Sequence, residues 1–207
     1  TYSWTSPFFN EKDNKNAVPH NVRDIKLFLE LAKKTGARIN LSHLLLKGVH
    51  TWNTCNQVIA VIDEAQKDGV DVTFGIIPYH CGNTLINTLL PKWFLENFSA
   101  NLKDPNKTRE LEKEVELTEE TIGRSSKDLF LLWGGTDRLR EYEGMSFYAI
   151  SQLLNFRDIE TILWIMKESS GRAKILTASY SGEEGTEDSP LEELIKHEKA
   201  IIEIDTI

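Results

Sequence analysis

The chain is short of cysteine, of basic charge and of long apolar runs. Two cysteines, Cys55 and Cys81, stand in 207 residues, without a C-x-x-C spacing. That excludes a disulfide framework and a zinc-ribbon arrangement, and points to a reducing, cytoplasmic setting. Lys and Arg total 24 against 32 Asp and Glu, a formal net charge of -8. A surface of that sign repels phosphate backbones, so general nucleic-acid binding is disfavoured. No apolar run approaches the ~20 residues that a membrane-spanning helix needs, and no signal peptide is visible. There is no G-x-G-x-x-G, no phosphate-binding P-loop and no Gly-x-Ser-x-Gly elbow. The short "GGTDR" (134–138) is too irregular to cradle phosphate.

What is present suits a soluble globular α/β protein, 40% hydrophobic and 27% charged. "YSWTS" reads as a strand and residues 10–19 as a polar loop. Val22, Ile25, Leu29 and Ala32 recur at helical spacing, with Asn21 as the expected cap and Gly36 as the stop. A strand over 38–42, a helix closing at Gly69 and a strand ending at Pro78 follow. This strand–helix alternation predicts parallel strands with right-handed crossovers.

The middle is less regular. An insertion-like helical region covers about 85–125, with a helix broken at Pro91 and a charged, solvated helix after it. "LFLLWGG", "AKILTAS" and the closing "AIIEIDTI" read as buried strands, with helices between them and an acidic loop at 181–188. The expected organisation is one domain, 1–207, and a segment of a longer polypeptide.

In parallel α/β folds, functional groups gather at the carboxyl ends of strands. Those ends carry Trp4, Ser42-His43, Pro78-Tyr79-His80 and Asp205. Imidazole and carboxylate both ligate zinc, but a catalytic site uses three protein ligands and water. By spacing, His43 is either a metal ligand or a histidine hydrogen-bonded at the rim of the core. Asp205 is either a site residue or a strand-end or capping carboxylate. His80 and Cys81 are loop residues or reserve ligands beside Tyr79.

Several stretches resemble, in order, the N-acyl-D-amino-acid deacylases of the amidohydrolase superfamily. "ARINLSHLLLKGVHTWN" is similar to the family's "ISHLK…W" segment. "VIAVIDEAQKDGVDVTFGIIPYHCGNT" looks like its helix, strand and "YPY-x-x-G-x-T" turn. "LLPKW", "LKDPNKTRE", "EYEGMSFYAIS" and "LIKHEKAIIEIDTI" look like later family pieces. The resemblance implies part of a (β/α)8 barrel, an incomplete segment here, with zinc or another divalent metal at its carboxyl face. It implies hydrolysis of a linear amide in a small-molecule N-acyl amino acid. It carries His43 over as a metal ligand, Asp205 as the proton-relaying carboxylate, Trp52 as loop packing and Arg109 as a salt-bridge former.

The sequence also departs from the family. Trp4, Leu45, Gly75 and Ile77 stand where it keeps a histidine, a lysine, an aspartate and a tyrosine. Indole and isobutyl groups cannot ligate zinc. The chain as given is therefore expected to bind zinc weakly and to hydrolyse nothing, and a non-catalytic barrel used for binding or scaffolding is the rival expectation. Only about six strands are readable, so a closed eight-stranded barrel is not expected. Open sheet edges call for cover by a partner chain, an oligomer or further sequence.

Overall fold

The computed structural model describes residues 19–183, 185 and 189–204. "YSWTS", with Trp4, and Asp205 lie outside the described residues.

In chain order the elements are α1 (His20–Thr35), β1 (Ile39–Leu41), α2 (Val49–Trp52), α3 (Cys55–Lys67), β2 (Val72–Ile76) and β3 (Gly82–Leu85). A 3₁₀ turn (Ile86–Leu89), α4 (Lys92–Leu95), α5 (Phe98–Asn101), α6 (Pro105–Ile122) and, after a second 3₁₀ turn, β4 (Leu129–Trp133) follow. Then come α7 (Asp137–Arg140), α8 (Phe147–Leu154), α9 (Asp158–Glu168), β5 (Lys174–Thr177), α10 (Pro190–Lys196) and β6 (Ala200–Ile202). They pack as two compact units: residues 19–80, 121–123 and the described residues from 179 on, and residues 81–120 with 124–178.

The first unit is built on a parallel sheet of order β1-β2-β6. Leu41 pairs with Phe74, and Ile76 with Ile202. Along β2 the side chains alternate between faces. Val72, Phe74 and Ile76 point into a core made with Val22, Ile25 and Leu29 of α1, Val58 and Ile62 of α3, and Leu191 and Leu194 of α10. The four α1 positions picked by helical spacing are all buried, at 4% exposure or less. Gly36 takes φ 67 at the end of α1, the left-handed conformation that stops a helix most cheaply in glycine.

The start of α1 differs from the expected cap. The helix begins at His20 after Pro19, so Asn21 lies inside it. Asn21 is buried and its side-chain amide donates to Thr54 Oγ1 at 2.7 Å. A tertiary partner just before α3 has outcompeted the local capping geometry.

The second unit departs from the all-parallel expectation. β3, β5 and β4 form an antiparallel sheet in that order, with Gly82 opposite Thr177 and Leu129 opposite Thr177 on the other side. β3, "GNTL", is too short and polar to show as a strand by pattern. β4 is buried only on alternate positions: Leu129 and Leu131 are buried, whereas Leu132 and Trp133 are nearly half exposed. One covered face is what an antiparallel strand permits. The charged α6 is likewise not solvated all round, since Leu111 is fully buried among Phe94, Ile150 and Ile162. Six strands in two three-stranded sheets make no closed eight-stranded barrel among the described residues. The chain is thus a mixed α/β fold with one parallel three-stranded sheet. No helix among the described residues is long and apolar enough to cross a membrane.

Cys55 and Cys81 are both free thiols. Cys55 is buried at the start of α3, and burial, with the Glu193 carboxylate beside it, pushes its thiol pKa up to about 12. The folded value exceeds that of a free thiol. The stabilisation is therefore complete below pH ~9 and is lost as pH rises towards 12. At pH 8 we expect iodoacetamide to label half-buried Cys81 at least about tenfold faster than Cys55, because only the thiolate attacks. Peptide mapping of the alkylated chain reads this, and equal labelling would contradict it.

Candidate functional site at the carboxyl ends of the parallel strands

The carboxyl ends of β1, β2 and β6 lie together because the three strands are parallel and paired in register. β1 is followed directly by Ser42 and His43. His43 takes φ 53, left-handed for a non-glycine residue, and turns the chain sharply out of the strand. The leucines behind it are structural. Leu44, Leu45 and Leu46 are buried. The Leu44 amide donates to the Gly75 carbonyl at 2.8 Å, and the Leu46 amide donates to Ser181 Oγ at 3.1 Å. Leu45, expected from the resemblance to stand where a lysine is kept, is buried at 8% exposure.

The group that meets His43 is Glu203, one residue past β6. Its carboxylate accepts a short hydrogen bond from the His43 backbone amide. It also accepts from Ser42 Oγ at 3.2 Å. His43 Nε2 lies 3.7 Å from Glu203 Oε1, and Ser42 Oγ lies 3.4 Å from His43 Nδ1. The Glu203 amide donates to the Ile76 carbonyl at 3.0 Å, which extends the β2–β6 ladder by one step. Sequence reasoning missed Glu203. The signal was available: it lies two residues before Asp205, at the end of an apolar run, where strand-end carboxylates collect.

The other expected residues divide. Tyr79 is 59% exposed in the turn after β2. His80 is half-buried, and its Nδ1 lies 3.0 Å from the Tyr180 carbonyl, while its own carbonyl accepts from the Tyr180 amide. Cys81 is half-buried. Trp52 packs against the first core, and its Nε1 donates to the Ser179 carbonyl at 3.4 Å. Arg109 is exposed and makes no ion pair among the described residues. Arg157 takes the nearby Glu112 and Glu160 instead.

Among the described residues no three His, Cys, Asp or Glu side chains gather so as to hold a metal ion. His43 and Glu203 supply two donors, and the carboxylate is already committed to a backbone amide and a hydroxyl. The described donor set therefore does not fit a metal centre.

No family profile matches the sequence, and no curated protein does. Solved structures do. An N-acyl-D-glutamate deacylase from Bordetella bronchiseptica, solved with zinc and a phosphonate mimic of the tetrahedral intermediate, superposes with a TM-score of 0.56 at 15% identity, over 88% of this chain and 29% of that one. A D-aminoacylase structure that defined a subset of amidohydrolases gives 0.55 at 11% identity, over 88% and 29% of the two chains. Another D-aminoacylase, studied for its binuclear metal centre, gives 0.56 at 12% identity with the same coverage. The chain spans about 29% of the length of these enzymes. At these identities the likeness speaks for the fold: this chain is similar in architecture to part of the N-acyl-D-amino-acid deacylases of the amidohydrolase superfamily.

Proposed function

We propose that the chain is part of an amidohydrolase-type (β/α)8 barrel, with residues of about 85–125 as an insertion. Its parent chemistry is metal-dependent hydrolysis of a linear amide in a small N-acyl amino acid, in a reducing, cytoplasmic setting. The observation that carries this reading is the convergence of His43 and a carboxylate at the carboxyl ends of parallel strands, within a fold similar to the deacylases. His43 is its proposed metal ligand and Asp205 its proposed proton-relaying carboxylate.

The chain as given is proposed to lack that activity. Among the described residues only His43 and Glu203 come together as donors, and an ion must be repaid for its lost hydration by three or four ligands. We expect purified protein, dialysed against zinc, to retain well under one equivalent by elemental analysis. It is expected to release no amino acid from a panel of N-acyl-D-amino acids. Stoichiometric zinc, with turnover abolished by His43→Ala, would show an active metal centre.

A second reading, a barrel that serves binding or scaffolding, is favoured by the committed hydrogen bonds of Glu203. Zinc-free protein that retains a saturable affinity for N-acyl amino acids, without hydrolysing them, would support it.

A further inference from the structure

Gly75 is the last residue but one of β2, paired with Ile201 of β6. Its backbone has no left-handed φ, so its conformation does not require glycine. Its surroundings do. A Cβ built there would lie 2.1 Å from Glu203 Cδ and Oε2 and 2.2 Å from Oε1, far inside contact distance. The three nearest atoms all belong to that one carboxylate.

The carboxylate therefore lies flat on the strand where a side chain would otherwise stand. From there it reaches sideways to the β1 end, accepting from the His43 amide and from Ser42 Oγ. Glycine in a strand interior costs backbone entropy and packs nothing. Here it opens a seat. Without Glu203 the His43 amide would lose its charge-assisted partner at a turn in an uncommon backbone conformation.

We propose that Glu203 is a positioning residue: seated over Gly75, its carboxylate holds the Ser42–His43 turn in its left-handed conformation. Gly75 and Glu203 form one steric and electrostatic unit across β2 and β6, and Gly75 is glycine because Glu203 needs the room. The inference concerns the same strand ends as the hydrolytic reading but uses neither metal nor turnover, so the two can fail separately.

The test is a double-mutant cycle in the intact chain, in buffer containing a chelator. Gly75→Ala alone should lower Tm by roughly 4–8 °C, the ordinary result of overpacking in a protein of this size. In a Glu203→Ala background the same change should cost under about 2 °C or raise Tm, because the obstacle is gone and alanine suits a strand better. Amide hydrogen exchange supplies the positional readout. The His43 amide should exchange at least about tenfold faster in Glu203→Ala, relative to the Leu41 and Phe74 amides. Glu203→Gln, whose amide oxygen still accepts, should restore most of the protection. Three results would overturn the proposal: a Gly75→Ala chain as stable as the parent, a Gly75→Ala loss as large in the Glu203→Ala background as in the parent, or unchanged His43 protection in Glu203→Ala.

Discussion

Replacing Phe74 by alanine is expected to remove about 3–5 kcal/mol of stability, the usual loss for truncating a buried aromatic ring. Phe74 is fully buried at the centre of the middle strand of the parallel sheet. Its ring lies 5.1 Å from that of His197, which ends α10. His197 is itself held on two sides. Its Nε2 lies 3.0 Å from Asp63 Oδ1 of α3, and its Nδ1 accepts from the Lys199 amide at 3.1 Å. The Phe74 amide in turn takes the Lys199 carbonyl. Removing the ring leaves a cavity between β2, α3 and the α10–β6 connection, and undermines the segment that delivers Glu203 to His43. Equilibrium unfolding in urea measures the loss. A change under ~1 kcal/mol would mean that this core relaxes around the gap far more than close-packed interiors do.

Gly48→Ala is the second large effect. Gly48 has φ 81 with ψ 152, a region that residues with a Cβ rarely enter. A Cβ there would also lie 2.1 Å from the Ile122 carbonyl oxygen, which is backbone and cannot rotate away. Strain and collision together should cost about 3–5 kcal/mol. The Gly48 amide donates to the Ser179 carbonyl, so displacing it pulls on the loop that follows His43. Gly36→Ala is the control. It shares a left-handed φ of 67 but has nothing within 4 Å of the new atom. It should cost about 1 kcal/mol, the conformational part alone. Thermal unfolding of both variants separates the contributions, and equal losses would assign the Gly48 effect to backbone strain only.

The limits of sequence reading at the site have a specific cause. Ser42 and His43 were visible as a strand-end pair, because a short apolar run that breaks into polar residues marks where a parallel strand stops. Their role was not visible. What His43 does depends on which group lies opposite, and Glu203 is 160 residues away. Register brings it there: Phe74 faces Ala200 and Ile76 faces Ile202, which places the next residue beside the end of β1. In the sequence Gly75 reads as a departure from the aspartate of the family it resembles. In the folded chain it is the opening that Glu203 fills.

The amino-acid sequence by itself determined the local elements of the first unit. Apolar spacing settled α1 and α3, and Gly36 settled where α1 ends. The alternation of strand and helix settled that β1 and β2 run parallel. These features depend on residues within a few turns of one another. Tertiary structure alone decided the rest. β4 is an apolar run of five residues, and β5 has four, with only Ile175 and Leu176 apolar. Nothing in so short a segment encodes direction, so the antiparallel pairing of β5 with both β3 and β4 arises from how the intervening helices bring the chain back. Asn21 left the capping position for Thr54, just before α3, because a buried hydrogen bond outweighed a local one. Glu203 became the partner of His43 because β6 docks on β2 in one register, and a shift of a single residue would turn its carboxylate to the opposite face of the sheet.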